Sequence, residues 1–287
     1  MIGNELQIAE LRQRHLDKTL PQTMIFLGAE GIGKFKVACE LARRLLCLTP
    51  ENINCSCESC HLDKEHPDFH IVNKEVDAKN IKVDQVREII DAVKFAPYFK
   101  DGVRVIIIRD AHELGRSAAN SLLKILEEPP AATYFIMTTH AYAKMLPTIL
   151  SRAQKFYFSP LKADEVAAVL EQVDPNLKYP KTWLSMGSPG LILKWLANGD
   201  LLAHPMWRQF FGSAYLPDFA SVMDFCQKFK NCEDVEAFFE WYLFNLRVQL
   251  IKNPDIDRML LVDKTTAVMR NFAININPSL AMEHLLL

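Results

Sequence analysis

The sequence predicts an α/β fold in its first 160 residues, with a parallel five-stranded sheet covered by helices, and an all-helical remainder. Two observations predict it. Short apolar runs typical of buried strands alternate with helical patterns up to about Pro160, as in parallel sheets. A glycine-rich turn, Gly28-Ala-Glu-Gly-Ile-Gly-Lys-Phe35, joins the first of these strands to a helix. After Pro160 the sequence offers no convincing strand.

The strands are predicted from apolar runs, at Met24–Leu27, Phe69–Val72, Arg104–Ile108, Tyr134–Met137 and Lys155–Phe158. Apolar residues at helical spacing predict helices over 34–46, 83–93 and 117–128. Two further short helices are predicted over 162–173 and 181–197, the second interrupted at Gly187-Ser-Pro-Gly190. Phe238–Ile251 is apolar on nearly all sides, so we expect it to be buried in a bundle or against a neighbouring subunit.

Composition is that of an ordinary soluble globular protein. The chain has 287 residues, 49% of them hydrophobic and 24% charged, with a formal net charge of −2. This charge argues against a nucleic-acid surface covering the whole molecule, though not against a local basic patch. No signal peptide and no stretch able to cross a bilayer is recognised, so we expect a cytoplasmic location. Cysteines in that setting are thiols or metal ligands more often than disulfides.

The glycine-rich turn has the spacing of a phosphate-binding loop. Backbone N–H groups and a lysine between strand and helix can cradle phosphates, and the alternative is a chance glycine turn. Such loops continue with Ser or Thr, whose hydroxyl helps to hold Mg²⁺, but Phe35 stands there. We interpret the segment as a degenerate phosphate loop that no longer turns over nucleotide, with the candidate ligand-binding residues Gly28, Gly31, Gly33 and Lys34.

Asp110 ends the third predicted strand, where many nucleotide hydrolases place the carboxylate that holds Mg²⁺ through water. A capping role in the next turn is an equally good interpretation. The next residue is Ala111 rather than a glutamate that would activate water, and Glu113 lies three residues beyond Asp110.

Four cysteines follow the helix after the loop: Cys47, Cys55, Cys57 and Cys60. Thiolates at this density can supply a closed tetrahedral structural Zn²⁺ site, and free cysteines in a polar loop are the alternative. The spacing between Cys55 and Cys57 is tighter than usual, so His61 or His66 could replace one of them.

Ser151-Arg152 precedes the last predicted strand. An arginine here could reach a neighbour's nucleotide and act as an arginine finger. Spacing alone favours the simpler interpretation, a surface arginine that pairs with a carboxylate.

Together these segments resemble the clamp-loader branch of the AAA+ superfamily. The resemblance rests on the phosphate loop, the cysteine cluster placed directly after its helix, Ala118-Ala-Asn-Ser-Leu-Leu-Lys-Ile-Leu-Glu-Glu-Pro-Pro130 and Ser151-Arg152. It is closest to the delta-prime family of bacterial DNA polymerase III subunits. It covers about the first 200 residues and the segment Asn275–Leu280, whereas residues 200–270 are similar only in being helical.

The resemblance implies three domains: an AAA+ core over 1–160 with an inserted zinc module at 47–66, a helical lid over 161–200 and a helical collar for oligomerisation over 201–287. It implies a non-catalytic stator, without intrinsic ATPase or polymerase activity, that supports ATP-dependent loading of the sliding clamp on primer-template DNA. The implied partners are the gamma/tau and delta subunits, and the clamp and DNA through the complex. Arg152 becomes a trans arginine finger, and the four cysteines become zinc ligands, with Cys55 the least typical.

Departures from the family's active ATPases support the stator. Phe35 stands where those ATPases have the Ser or Thr that helps to hold Mg²⁺, and Ala111 stands where they have the catalytic glutamate. Gly190 stands where they have the lid arginine that senses the γ-phosphate. Ala153 stands where the family has a cysteine after Ser-Arg. The alternative within the family is an active, gamma/tau-like ATPase subunit. A small-molecule nucleotide kinase also uses a phosphate loop, but neither the cysteine cluster nor the helical C-terminal third fits one.

Overall fold

A five-stranded parallel sheet lies at the centre of the first part of the chain. Its strands are β1 (Thr23–Leu27), β2 (Phe69–Val72), β3 (Arg104–Ile108), β4 (Thr133–Thr139) and β5 (Gln154–Tyr157), in the order β2-β3-β4-β1-β5. Every neighbouring pair is parallel. The strands β1 and β3 are buried along their whole length, as expected when helices cover both faces. The predicted parallel five-stranded sheet is confirmed.

This computed structural model describes residues 2–48, 55, 57–62, 66–75, 78–99, 101–179 and 181–197, and in the C-terminal third residues 243–244, 246–248, 250–251, 254 and 256–272. The chain divides into two compact units, Met1–Lys194 and Trp195–Leu287. Most of the predicted collar, including Asn275–Leu280, lies outside the described residues. No helix among the described residues is long and apolar enough to cross a membrane.

The first unit has eight α-helices in its described part. They are α1 (Glu5–Leu16), α2 (Lys34–Leu46), α3 (Glu58–Leu62), α4 (Val83–Ala92), α5 (Arg116–Glu127), α6 (Pro147–Leu150), α7 (Ala163–Val173) and α8 (Pro189–Ala197), the last continuing into the second unit. Helix α1 was not predicted from the sequence. A 3₁₀ helix, Lys181–Met186, precedes α8, and the interruption expected between them lies at Gly187, where φ is +68°.

One hydrophobic core among the described residues lies on one face of the sheet, under α4 and α5. Val86 and Ile89 of α4 and Leu122 of α5 are buried there against Ile106 and Phe135 of the sheet. Alternate strand residues point to the opposite face, and α2 packs against β3 and β4. The sheet is therefore held between helices, and the carboxyl ends of its strands carry the loops of the candidate site.

A buried ion pair joins the start of β3 to the residue before β2, and its arginine also bonds to the end of α4. Arg104 donates hydrogen bonds to Asp68 Oδ1 from Nε (3.0 Å) and Nη2 (2.8 Å), and the two side chains are 7% and 1% exposed. The same guanidinium donates to the carbonyls of Ala92 and Phe95, which satisfies acceptors at the helix C-terminus. This pairing was not predicted from the sequence.

In the second unit, the described residues include α9 (Ile256–Phe272) and helical residues between 243 and 251. Leu243 and Leu246 are buried, whereas Ile251 is 82% exposed in the single chain. The apolar run Phe238–Ile251 is thus buried at two of its described positions and open at its end.

Candidate functional site

The glycine-rich loop connects β1 to α2 at the carboxyl edge of the sheet. Gly28, Gly31 and Gly33 have φ angles of 151°, 71° and 95°. Residues other than glycine rarely adopt these φ angles, which explains why glycine stands at these three positions. The predicted strand, loop and helix are therefore present at the position where a phosphate loop lies.

Lys34 is turned onto its own loop. Its side chain is buried, and Nζ donates hydrogen bonds to the carbonyl oxygens of Gly28 (2.8 Å) and Ala29 (2.5 Å). Burial lowers the pKa of Lys34 to about 8, although the charges of Asp110 and Glu30 act in the opposite direction. The ammonium group that would bind a phosphate is thus bonded to the loop backbone.

Ser188 and the start of α8 lie directly against this loop. Ser188 Oγ donates a hydrogen bond to Glu30 O (2.5 Å), and the Gly190 N–H donates to Gly31 O (2.9 Å). A Cβ atom at position 190 would lie 2.8 Å from both Cα and O of Gly31. Only glycine fits this contact, so an arginine at position 190 would not fit the arrangement.

Phe35, at the position of the missing hydroxyl, contacts a cation. The Arg109 guanidinium lies 4.9 Å from the Phe35 ring centroid, within the range of a cation–π interaction. Arg109 Nε is also 3.5 Å from Asp110 Oδ2. The Arg109 guanidinium thus lies close to both the Phe35 ring and the Asp110 carboxylate.

Asp110 follows β3 with φ of 50° and makes no side-chain capping hydrogen bond, so the capping interpretation finds no support. Its Oδ1 lies 3.5 Å from His140 Nδ1. Burial raises the pKa of the Asp110 carboxyl, but the nearby His140, with the charges of His112 and Arg109, holds that pKa below its ordinary value. Ala111 is buried, and Glu113 lies 3.4 Å from Lys74 Nζ.

Two histidines that the sequence analysis did not single out complete this edge. The His112 side chain is 3% exposed, its Nδ1 lies 2.9 Å from Thr139 Oγ1, and its ring centroid lies 4.3 Å from that of His140. Burial, reinforced by the charge of His140, lowers the pKa of His112 to about 4. The available sequence signal was a histidine within four residues of the end of each of two strands, since His112 is four residues after β3 and His140 directly follows β4.

The four predicted cysteine ligands are brought together. The Sγ atoms of Cys47, Cys55, Cys57 and Cys60 all lie within 4.8 Å of one another. In a tetrahedral site with Zn–S bonds of about 2.3 Å, sulfur atoms lie about 3.8 Å apart, so the cluster fits such an ion. Although burial opposes it, backbone hydrogen bonds from Cys60 and Leu48 lower the pKa of Cys57 to about 6.

His66, one of the two possible replacement ligands, is engaged elsewhere. Its Nδ1 accepts a hydrogen bond from the Asp68 N–H (3.0 Å), so Nε2 carries the proton and donates to Ser59 Oγ (2.9 Å). Ser59 in turn donates to Leu46 O (2.6 Å). Both ring nitrogens are therefore occupied by structural hydrogen bonds, and the side chain of His61 lies outside the described residues.

Arg152 lies between α6 and β5 and pairs with a carboxylate. Its Nε and Nη2 donate to Glu127 Oε2 (3.3 and 3.1 Å), and Nη1 donates to Thr148 O (3.0 Å). The Arg152 side chain is 29% exposed and that of Glu127 is 60% exposed. In the single chain Arg152 thus makes the surface ion pair that spacing alone favours.

Fold and site together define the class of protein, a phosphate-loop α/β core of the AAA+ type. The chain belongs to the family described as "DNA polymerase III, delta subunit", whose profile matches residues 3–162. This confirms the resemblance to DNA polymerase III delta-prime subunits.

Individual relatives carry two kinds of name. The DNA polymerase III subunit delta' of Haemophilus influenzae is 35% identical over 147 residues, 50% of this chain and 44% of that protein. The subunit gamma of Buchnera aphidicola subsp. Baizongia pistaciae is 30% identical over 192 residues, 65% of this chain and 51% of that protein. The chain thus spans about half the length of the relatives it matches.

The fold also has a solved counterpart. A DNA polymerase III gamma subunit-related protein from Thermotoga maritima superimposes with a TM-score of 0.50 and 21% identity, covering 98% of this chain and 97% of that one. This likeness concerns the fold alone.

Proposed function

We propose that the chain is the delta-prime-type stator of a DNA polymerase III clamp loader, which supports ATP-dependent loading of the sliding clamp on primed DNA without hydrolysing ATP itself. The observation that carries the proposal is the phosphate loop closed on itself by Lys34 and by the Ser188–Gly190 segment. Two of the three Lys34 Nζ donors are already given to loop carbonyls, so only one remains for a nucleotide phosphate.

The surroundings of the loop support loss of turnover. Hydrolysis requires a Mg²⁺ ion bridging the phosphates and a group that positions the attacking water. Phe35 offers no oxygen ligand, and the Arg109 guanidinium adds positive charge beside Asp110. Ala111 offers no base, and Gly190 offers no γ-phosphate sensor.

Arg152 is the residue proposed to act in catalysis, in trans at a neighbouring subunit's nucleotide. Its exposed pairing with Glu127 is exchangeable, because exposed ion pairs contribute only about 0.2–1 kcal/mol. A nucleotide phosphate carries more charge than one carboxylate and can compete for the guanidinium.

The cysteine cluster is proposed to hold one structural Zn²⁺ ion per chain, with Cys47, Cys55, Cys57 and Cys60 as ligands. We further propose the domain division into an AAA+ core (1–160), a lid (161–200) and a collar (201–287). The proposed partners are gamma/tau and delta subunits, with the sliding clamp and primer-template DNA reached through the complex.

The second candidate is an active gamma/tau-like ATPase subunit. The retained Lys34 and Asp110, and relatives named gamma and tau, favour it. It requires Lys34 to bind a nucleotide phosphate with the one Nζ donor that the loop carbonyls leave.

Two assays on the full chain separate the candidates. The stator should show no Mg-ATP turnover alone, while clamp loading by a reconstituted complex should require it. Turnover by the isolated chain would instead establish the second candidate. Clamp loading that proceeds equally well without the chain would reject both.

A further inference from the structure

The edge of the sheet beside the phosphate loop carries a mixed histidine and carboxylate cluster. One candidate ligand atom each from Asp110, His112 and His140 lies within 4.8 Å of the other two. The cluster forms because β3 and β4 are adjacent parallel strands, so that residues following them meet at the same edge. It is separate from the cysteine cluster and has no part in the proposed stator role.

The distances fit a metal ion better than they fit direct hydrogen bonding. Asp110 Oδ1 and His140 Nδ1 are 3.5 Å apart, which is long for a charge-assisted hydrogen bond of about 2.7–2.9 Å. Ligand atoms that are about 2.0–2.1 Å from a tetrahedral metal lie about 3.3–3.4 Å from each other. The pair therefore already has nearly the separation of two metal ligands.

The third ligand is held in place by its environment. The His112 side chain is 3% exposed, and Thr139 Oγ1 lies 2.9 Å from its Nδ1 and accepts a hydrogen bond from the Ala141 N–H (3.1 Å). Metal-binding histidines usually donate their second ring N–H to such an acceptor. The His112 Nε2 atom then remains for a metal. Glu113 Oε1 lies 3.7 Å from this Nε2 and could approach the ion as a fourth ligand.

We propose that Asp110, His112 and His140 form a binding site for a divalent transition-metal ion such as Zn²⁺, oriented by Thr139. Two imidazoles and one carboxylate suit Zn²⁺ and its neighbours, whereas Mg²⁺ prefers oxygen ligands. The site is therefore not a remnant of nucleotide-bound Mg²⁺. Positive charge from Arg109 and Lys34 weakens the site, and the carboxylates of Glu113 and Glu30 offset part of that charge.

Zinc stoichiometry on the full-length chain tests the site. Wild type and His140→Ala are titrated in Zn²⁺-buffered solution and bound zinc is measured by mass spectrometry. Wild type should bind one more equivalent than His140→Ala, whatever the cysteine cluster holds. A 100-fold excess of Mg²⁺ should not displace that equivalent. Thr139→Val should raise its dissociation constant about 10–100-fold.

His15→Ala is the matched control, because it removes a half-buried histidine of α1 outside the cluster. The His15→Ala variant should bind as many equivalents of zinc as the wild type. Equal stoichiometry for wild type and His140→Ala overturns the proposal, and so does a loss shared by His15→Ala, which indicates non-specific binding to histidines. The His140 side chain is 32% exposed, and thermal unfolding of His140→Ala checks that the fold is intact. Asp110→Asn should lose the same zinc equivalent and gives a second test.

Discussion

The contact between Gly190 and the phosphate loop can be tested by adding a single methyl group. In Gly190→Ala the new Cβ would lie 2.8 Å from Cα and O of Gly31. Favourable contacts of this kind lie at about 3.5–4.0 Å, so the loop and the start of α8 would have to separate by about 0.7–1.2 Å. This would stretch the 2.9 Å hydrogen bond from Gly190 N to Gly31 O. Overpacking of this size costs about 1–3 kcal/mol.

Gly115→Ala provides the matched control. At Gly115, φ is −58°, and an added Cβ would meet Ile81 O at an ordinary 3.4 Å. Both substitutions reduce the entropy of the unfolded chain by a similar amount, about 0.4–1 kcal/mol. Alanine is less favourable than glycine at the N-cap position of Gly115 and more favourable inside α8 at Gly190. The difference between the two variants is therefore a lower bound on the steric cost at Gly190.

Urea and thermal unfolding of the full chain measure that difference. We expect Gly190→Ala to be less stable than Gly115→Ala by about 1–3 kcal/mol. This corresponds to a midpoint about 2–12 °C lower, at 2–4 °C per kcal/mol for a unit of this size. If the two variants agree within about 0.5 kcal/mol, the lid does not press on the loop, and the closed-loop reasoning is wrong.

Three further predictions follow from other contacts. Arg104→Ala should destabilise the chain by about 3–5 kcal/mol in urea unfolding, because it leaves the buried Asp68 carboxylate without its cation; a loss below about 1 kcal/mol would contradict the buried pair. Because the pKa of Lys34 falls from 10.5 to about 8 on folding, the unfolded state binds more protons between these values, so stability should rise with pH across that window. In buffer without divalent metal, Lys34→Met should lack this rise, and identical pH profiles would refute it. Cys60→Ser should remove one zinc and make residues 47–66 sensitive to limited proteolysis, because binding and folding are coupled there; a chain purified without zinc would contradict the assignment.

Much of the fold could be predicted because a buried parallel strand is a nearly continuous apolar run. The run Val105-Ile-Ile-Ile108 is of this kind, and the predicted strand Arg104–Ile108 has the same boundaries as β3. The glycine spacing of the phosphate loop is equally local, since it follows from the φ angles of one turn. The cysteines could be grouped because all four lie within 14 residues.

The remaining features depend on contacts between distant parts of the chain. His112 and His140 meet only because β3 and β4 are neighbours in the sheet, and the sequence does not state the strand order. The contact of Gly190 with Gly31 joins segments about 160 residues apart. In the same way, the carboxylate that pairs with Arg152 is found only when the end of α5 is placed beside α6.

ATP hydrolysis by a reconstituted clamp-loader complex tests the central claim most directly. Wild type, Arg152→Ala and Lys34→Met are compared after checking that each variant assembles. If this chain acts on a neighbour's nucleotide and not on its own, Arg152→Ala should slow DNA-dependent hydrolysis and Lys34→Met should leave the rate unchanged. A slower rate with Lys34→Met and an unchanged rate with Arg152→Ala would contradict the account, because the chain would then work through its own phosphate loop.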